Sequence, residues 1–148
     1  MKILPHIGID EIQFGMTMEN VRSIWGQPAN IRYFIPVEEN PEERDVIWEY
    51  DEGIELSFSS DDSFLLSTIE SSSQKDKFNG IVMAGRKISE LILVFPKLFL
   101  EQDFEENGKN YELPDLDISL WVKGDVVETV LFFPEYDKNG TTIIWPDR

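Results

Sequence analysis

The chain has 148 residues, 41% of them hydrophobic and 12% aromatic, and carries 29 acids against 13 bases for a formal net charge of −16. That length is one ordinary domain, long enough to bury a core of its own. It has no cysteine, which excludes disulfides, thiolate catalysis, iron–sulfur clusters and cysteine-bound zinc, and the acid excess disfavours nucleic acid and anionic membrane as partners while favouring a basic protein, a metal ion or a cationic ligand.

The N-terminal dozen residues read as a short strand or ordered arm, with Ile3, Ile7 and Ile9 as anchors. Asp10 and Glu11 interrupt any signal-type apolar stretch there. The run Leu91 to Phe95 is too short to cross a membrane. Together these features predict a cytoplasmic protein. Residues 14–28 read as a short helix with both ends marked. Thr17 can cap its start, Gly26 suits the left-handed position after its last turn, and Pro28 stops continuation. Val21, Ile24 and Trp25 share one face at helical spacing and are expected in the core.

Strands are predicted over 30–37, 46–50, 54–59 and 64–71. The third alternates cleanly, with Ile54, Leu56 and Phe58 on one side and Glu55, Ser57 and Ser59 on the other. Asp51-Glu52-Gly53 reads as a tight turn. A second helix is predicted over 85–96 with Ile88, Leu91, Ile92 and Phe95 inward. Residues 97–103 read either as a strand or as an extension of that helix. Asn107-Gly108 marks a hairpin turn, and strands follow over 111–113, 116–122, 126–134 and 141–145.

The two halves can be laid over each other loosely, Gly15, Val21, Ile24 and Pro28 against Gly85, Leu91, Val94 and Pro96. The expected fold is therefore α+β: one domain over 1–148, an antiparallel sheet with two helical segments on one face, arranged as tandem helix–meander repeats over 10–74 and 78–137. Residues 1–74 carry a net charge of −11 and residues 75–148 one of −5. The first half is the better candidate for electrostatic contact.

The run Gly15-Met16-Thr17-x-x-x-Val21-x-x-x-x-Gly26-x-Pro28 resembles the short repeat of the outer-membrane assembly lipoprotein BamE and of the β-lactamase inhibitory protein. The resemblance implies a helix preceding an antiparallel meander and, in the inhibitor, two such units forming a concave binding face. It implies a scaffold and no activity. BamE carries a lipidated cysteine and the inhibitor has disulfides, and this chain has no cysteine. Its small, acidic, cysteine-free character is also similar to that of bacterial toxin-immunity proteins.

His6 is the only histidine. With no cysteine or second histidine beside it, neither a triad nor a histidine-based metal cluster is available, so His6 is read as a surface or packing residue. Phosphate-binding glycine loops and G-x-S-x-G elbows are absent from the sequence. No catalytic residue, metal ligand or cofactor is assigned. Two acidic clusters stand out: Glu38, Glu39, Glu42, Glu43 and Asp45 in one loop, and Glu101, Asp103, Glu105 and Glu106 in the second half. Asp61-Asp62 and the run Glu101, Asp103, Glu105 and Glu106 could attract calcium, but neither has the ligand spacing of an EF-hand. Each of the two clusters reads as a solvated loop or as a surface that steers a basic partner. Trp121 falls opposite the core-facing Leu120, where a tryptophan serves as an interface anchor unless another element covers it. Tyr33, Phe34, Trp48 and Tyr50 pose the same question, with one member of each set expected to be buried.

The resulting expectation is a cytoplasmic protein inhibitor: an immunity protein that occludes a basic, nuclease-type toxin through those nine acids and Trp121. A carboxylate-dependent enzyme or calcium-binding module, and a self-associating adaptor, are the alternatives.

Overall fold

The computed structural model describes residues 1–147. Three two-residue strands, β1 (Ile3–Leu4), β2 (Gly8–Ile9) and β3 (Ile12–Gln13), form a small antiparallel sheet at the N-terminus. Helix α1 (Met18–Trp25) follows. The Thr17 hydroxyl accepts the Asn20 backbone N–H at 3.1 Å, and the Asn20 side-chain oxygen accepts that of Thr17 at 3.3 Å. This reciprocal cap fixes where α1 starts. Gly26, at φ +79°, ends it.

Four strands come next: β4 (Asn30–Phe34), β5 (Asp45–Tyr50), β6 (Ile54–Ser59) and β7 (Leu66–Ser71). A small hairpin of β8 (Lys77–Phe78) and β9 (Ile81–Val82) leads to helix α2 (Ile88–Val94). Then come β10 (Phe99–Asp103), β11 (Lys109–Leu113), β12 (Ile118–Lys123) and β13 (Val126–Phe132). The tail pairs β14 (Glu135–Tyr136) with β15 (Ile143–Ile144).

The eight long strands form one antiparallel sheet in the order β10-β11-β12-β13-β7-β6-β5-β4. Its middle join pairs Val130 with Ser71, Leu131 with Glu70 and Phe132 with Ile69. Strands β4 and β10 are the free edges.

The fold class departs from the α+β tandem helix–meander expectation. The protein is β-rich, with about 44% strand against 16% helix. Good capping signals mark where a helix starts and stops and say nothing of its weight in the fold. Here the caps enclose only eight and seven residues, too short to be stable without the surface they pack on, whereas the strands join into one continuous layer.

One face of the sheet buries the core. Trp48, Leu56, Phe58, Ile69, Leu120, Val130 and Phe132 meet Phe14, Val21, Met83, Ile88 and Leu91 from the covering segments. Both helices present a narrower apolar face than their spacing predicts. Ile24 and Ile92 are 41% and 39% exposed, because a two-turn helix lying on a sheet hides little more than the positions at its line of contact. No helix among the described residues is long and apolar enough to cross a membrane.

Candidate functional site

Strand alternation sends every second side chain of the sheet away from the core, while α1 and α2 pack on the core face through Val21, Ile88 and Leu91. The register lines up one row across all eight strands: Asn30, Glu49, Glu55, Glu70, Leu131, Ser119, Glu112 and Phe99. Three consecutive members of this row are carboxylates. Glu49 lies directly opposite Glu55, and Glu55 directly opposite Glu70.

Like charges in directly opposed positions destabilise a sheet, so the row needs compensation. Arg32 supplies part of it, its Nε 2.6 Å from Glu49 and its terminal nitrogen 2.8 Å from Glu55. The Asn30 amide donates to Glu49 at 3.0 Å. The rest is protonic. Burial, and then the hydrogen bond with ionised Glu55, push the Glu70 carboxyl up to about 7. Glu55 is held below the ordinary carboxylate range by the hydrogen bond from Glu70 and by Arg32. One arginine and one shared proton thus stabilise three acids.

Glu49, Glu55 and Glu70 border a shallow cavity of about 530 Å³, whose walls also include Tyr50, Ser72, Glu128 and Thr129. Its chemistry favours a cation with hydrogen-bond donors, since every charged group in its wall is acidic. Among the described residues, no group of three or more His, Asp or Glu side chains is arranged to hold a metal ion.

The acids singled out in the sequence lie elsewhere. Glu38, Glu39, Glu42 and Glu43 are exposed in the loop after β4, and Asp45 begins β5, half-buried opposite Phe34 and Ser59. Glu101 and Asp103 lie on β10, and Glu105 and Glu106 in the turn that follows, all four exposed. The two clusters therefore flank opposite edges of one sheet. Seven inter-strand spacings separate those edges, about 34 Å along a flat path.

Trp121 lies on the open face, half-buried. Phe104 packs on it with ring centroids 5.6 Å apart, and Gly108 lies beneath its ring. Trp48 is buried at 1% exposure and Tyr50 is half-buried. The expectation that one of Tyr33 and Phe34 is buried is corrected: they are 62% and 55% exposed, because β4 is an edge strand. His6 pairs through Nε2 with Asp117 at 2.9 Å.

No family model matches the chain, and no curated protein matches it. Among solved structures it is similar to the 1.5 Å crystal structure of an extracellular protein containing an SCP domain from Bacillus anthracis str. Ames, with 10% identity and a TM-score of 0.50. The match covers 100% of this chain and 55% of that one, so the chain spans about half the length of that protein. At this identity the likeness concerns the fold alone.

Proposed function

We propose that the protein is a binding protein that receives a basic partner protein on the open face of its sheet. The observation that carries this is the row Glu49–Glu55–Glu70, three opposed carboxylates with one arginine among them. A lysine or arginine side chain entering the cavity would take the place of the Glu70 proton, so binding would release that proton below pH 7. Trp121 and Phe99, further along the same face, offer aromatic contact area. The net charge of −16 would speed encounter with a basic partner at low salt. Inhibition of a nuclease-type toxin by occlusion is the specific form of this reading that the charge supports.

The test is capture of partners from the source cell's lysate by the wild-type chain and by the Glu49→Gln, Glu55→Gln, Glu70→Gln triple variant. A stoichiometric basic partner held by the wild type and lost by the variant supports the reading. Equal retention by both sinks it.

A second reading has an observation of its own. Glu55 and Glu70 share one proton beside a cavity, and carboxylate pairs with divided protonation perform acid–base catalysis. Hydrolysis of glycoside or peptide substrates that disappears in Glu70→Gln would favour it.

A further inference from the structure

The sheet has two free edges, and they are built differently. Free edges expose unpaired backbone N–H and C=O groups, which proteins shield with bulges, charges or covering segments. Strand β10 follows that rule. Its register shifts between Leu100 and Gln102, and it carries Glu101 and Asp103 within the strand. Strand β4 has neither device. It pairs with β5 in unbroken register from Asn30 to Phe34. Its only charged side chain, Arg32, is drawn back across the sheet to Glu49 and Glu55.

The free edge of β4 is also apolar. Ile31 is 42% exposed, and Ile35 and Val37, just beyond the strand, are 43% and 40% exposed. Together with Tyr33 and Phe34 they offer contacts on both faces, since Ile31 and Tyr33 pair with the core-facing Trp48 and Val46, and Phe34 with Asp45 on the other side. An added strand would find main-chain partners along β4 and apolar contacts for alternate side chains on each face.

Charge selects the occupant. The chain leaving β4 carries Glu38, Glu39, Glu42 and Glu43, all exposed. Its one arginine, Arg44, lies over the Tyr33 and Phe64 rings at 5.9 Å from each. A second copy of the chain would bring the same acids, and a net charge of −16, to this edge. We infer that β4 is a docking edge for an extended basic segment of a partner protein, which adds as a ninth strand with lysine or arginine at the end facing residues 38–43. The inference stands on the edge and its loop and does not rest on the carboxylate row.

The test titrates the ¹⁵N-labelled full chain with an eight-residue peptide alternating lysine and valine, and with its glutamate-for-lysine counterpart. The expected result is amide shifts and slowed hydrogen exchange over 31–35 with the lysine peptide alone. Its affinity should fall at least tenfold when salt is raised from 20 mM to 300 mM. The double variant Ile31→Lys, Ile35→Lys changes two exposed positions, should keep the wild-type melting curve, and should lose the peptide tenfold or more. Shifts centred on Glu49, Glu55 and Glu70 and indifferent to that variant would overturn the edge inference while leaving the open-face reading standing. Edge shifts that survive the Glu49→Gln, Glu55→Gln, Glu70→Gln variant would support the edge independently of that reading. Absence of binding, or a concentration-dependent dimer abolished by the edge variant, would overturn it.

Discussion

The two flanks of the sheet each carry a tryptophan, and the two point opposite ways. In the β4–β5 flank, Trp48 is buried in the core, with its ring centroid 5.1 Å from that of Phe58. In the β10–β11 flank, Trp121 of the neighbouring β12 sits on the open face over Gly108 and against Phe104. The first flank is anchored from behind and leaves its edge bare. The second buries Leu113, Ile118 and Leu120 in the core as well, adds a ring pair on its open face, and guards its edge with a bulge and acids. The two flanks differ in what covers their open face and in how their edges are guarded.

The largest expected effect tests those anchors. Trp48→Ala empties a fully packed site and should cost about 3–5 kcal/mol. Trp121→Ala removes a half-exposed ring from an open face and should cost about 1 kcal/mol. Urea denaturation of both variants decides it, and equal losses would mean that the two flanks are not held differently. Gly108→Ala comes next. Its φ is +129°, and a Cβ there would lie 2.6 Å from the Trp121 ring and 3.0 Å from the Val122 carbonyl oxygen. The expected cost is about 1–3 kcal/mol, with faster amide exchange confined to β10 and β11. Faster exchange at β4 as well would break the comparison.

Much of the sheet is legible along the chain. The alternation of Ile54, Leu56 and Phe58 predicts a half-buried strand, and all three are buried on β6. Thr17 and Gly26 bracket α1 as their chemistry requires. The β-rich class was not legible, because the seam between β7 and β13 joins residues some sixty positions apart with no local signal. The carboxylate row was missed for a related reason. Glu49, Glu55 and Glu70 are single acids on three strands, and only register brings them together. One clue was available: a tight turn at Asp51-Glu52-Gly53 sets Tyr50 opposite Ile54 and therefore Glu49 opposite Glu55. The acids that are contiguous in sequence lie at the sheet's edges.

Midway between the flanks, Glu70 supplies a pH test. Its folded value of about 7 lies above the ordinary value of 4.5. The folded state therefore holds a proton that the unfolded chain has released. That contribution to stability is complete below pH 4.5 and is lost as pH rises through 7. Glu70→Gln, whose amide can still donate to Glu55, should flatten this part of the stability–pH curve and raise stability at pH 8 relative to the wild type. Thermal melts from pH 4.5 to 8 check it, and parallel curves would show that Glu70 titrates normally.

The smallest effect concerns the link between the row and the bare edge. Arg32 is the only β4 side chain that salt-bridges to β5 and β6, and it is 47% exposed. Partly exposed ion pairs contribute little, so Arg32→Ala should cost at most about 1 kcal/mol globally. Its local consequence should be sharper. Without Arg32, Glu49 and Glu55 keep only the Asn30 amide and the Glu70 proton as compensation, and the outermost strand loses its only salt bridge to the sheet. Hydrogen exchange should then quicken at β4 while β10 stays unchanged. If β4 and β10 quicken together, Arg32 stabilises the whole sheet and the bare edge is not a separately held element. If β4 alone responds, the same side chain that relieves the carboxylate row also keeps the edge in place, and a cation entering the row would compete with Arg32 for Glu49 and Glu55 and so loosen the strand that carries it.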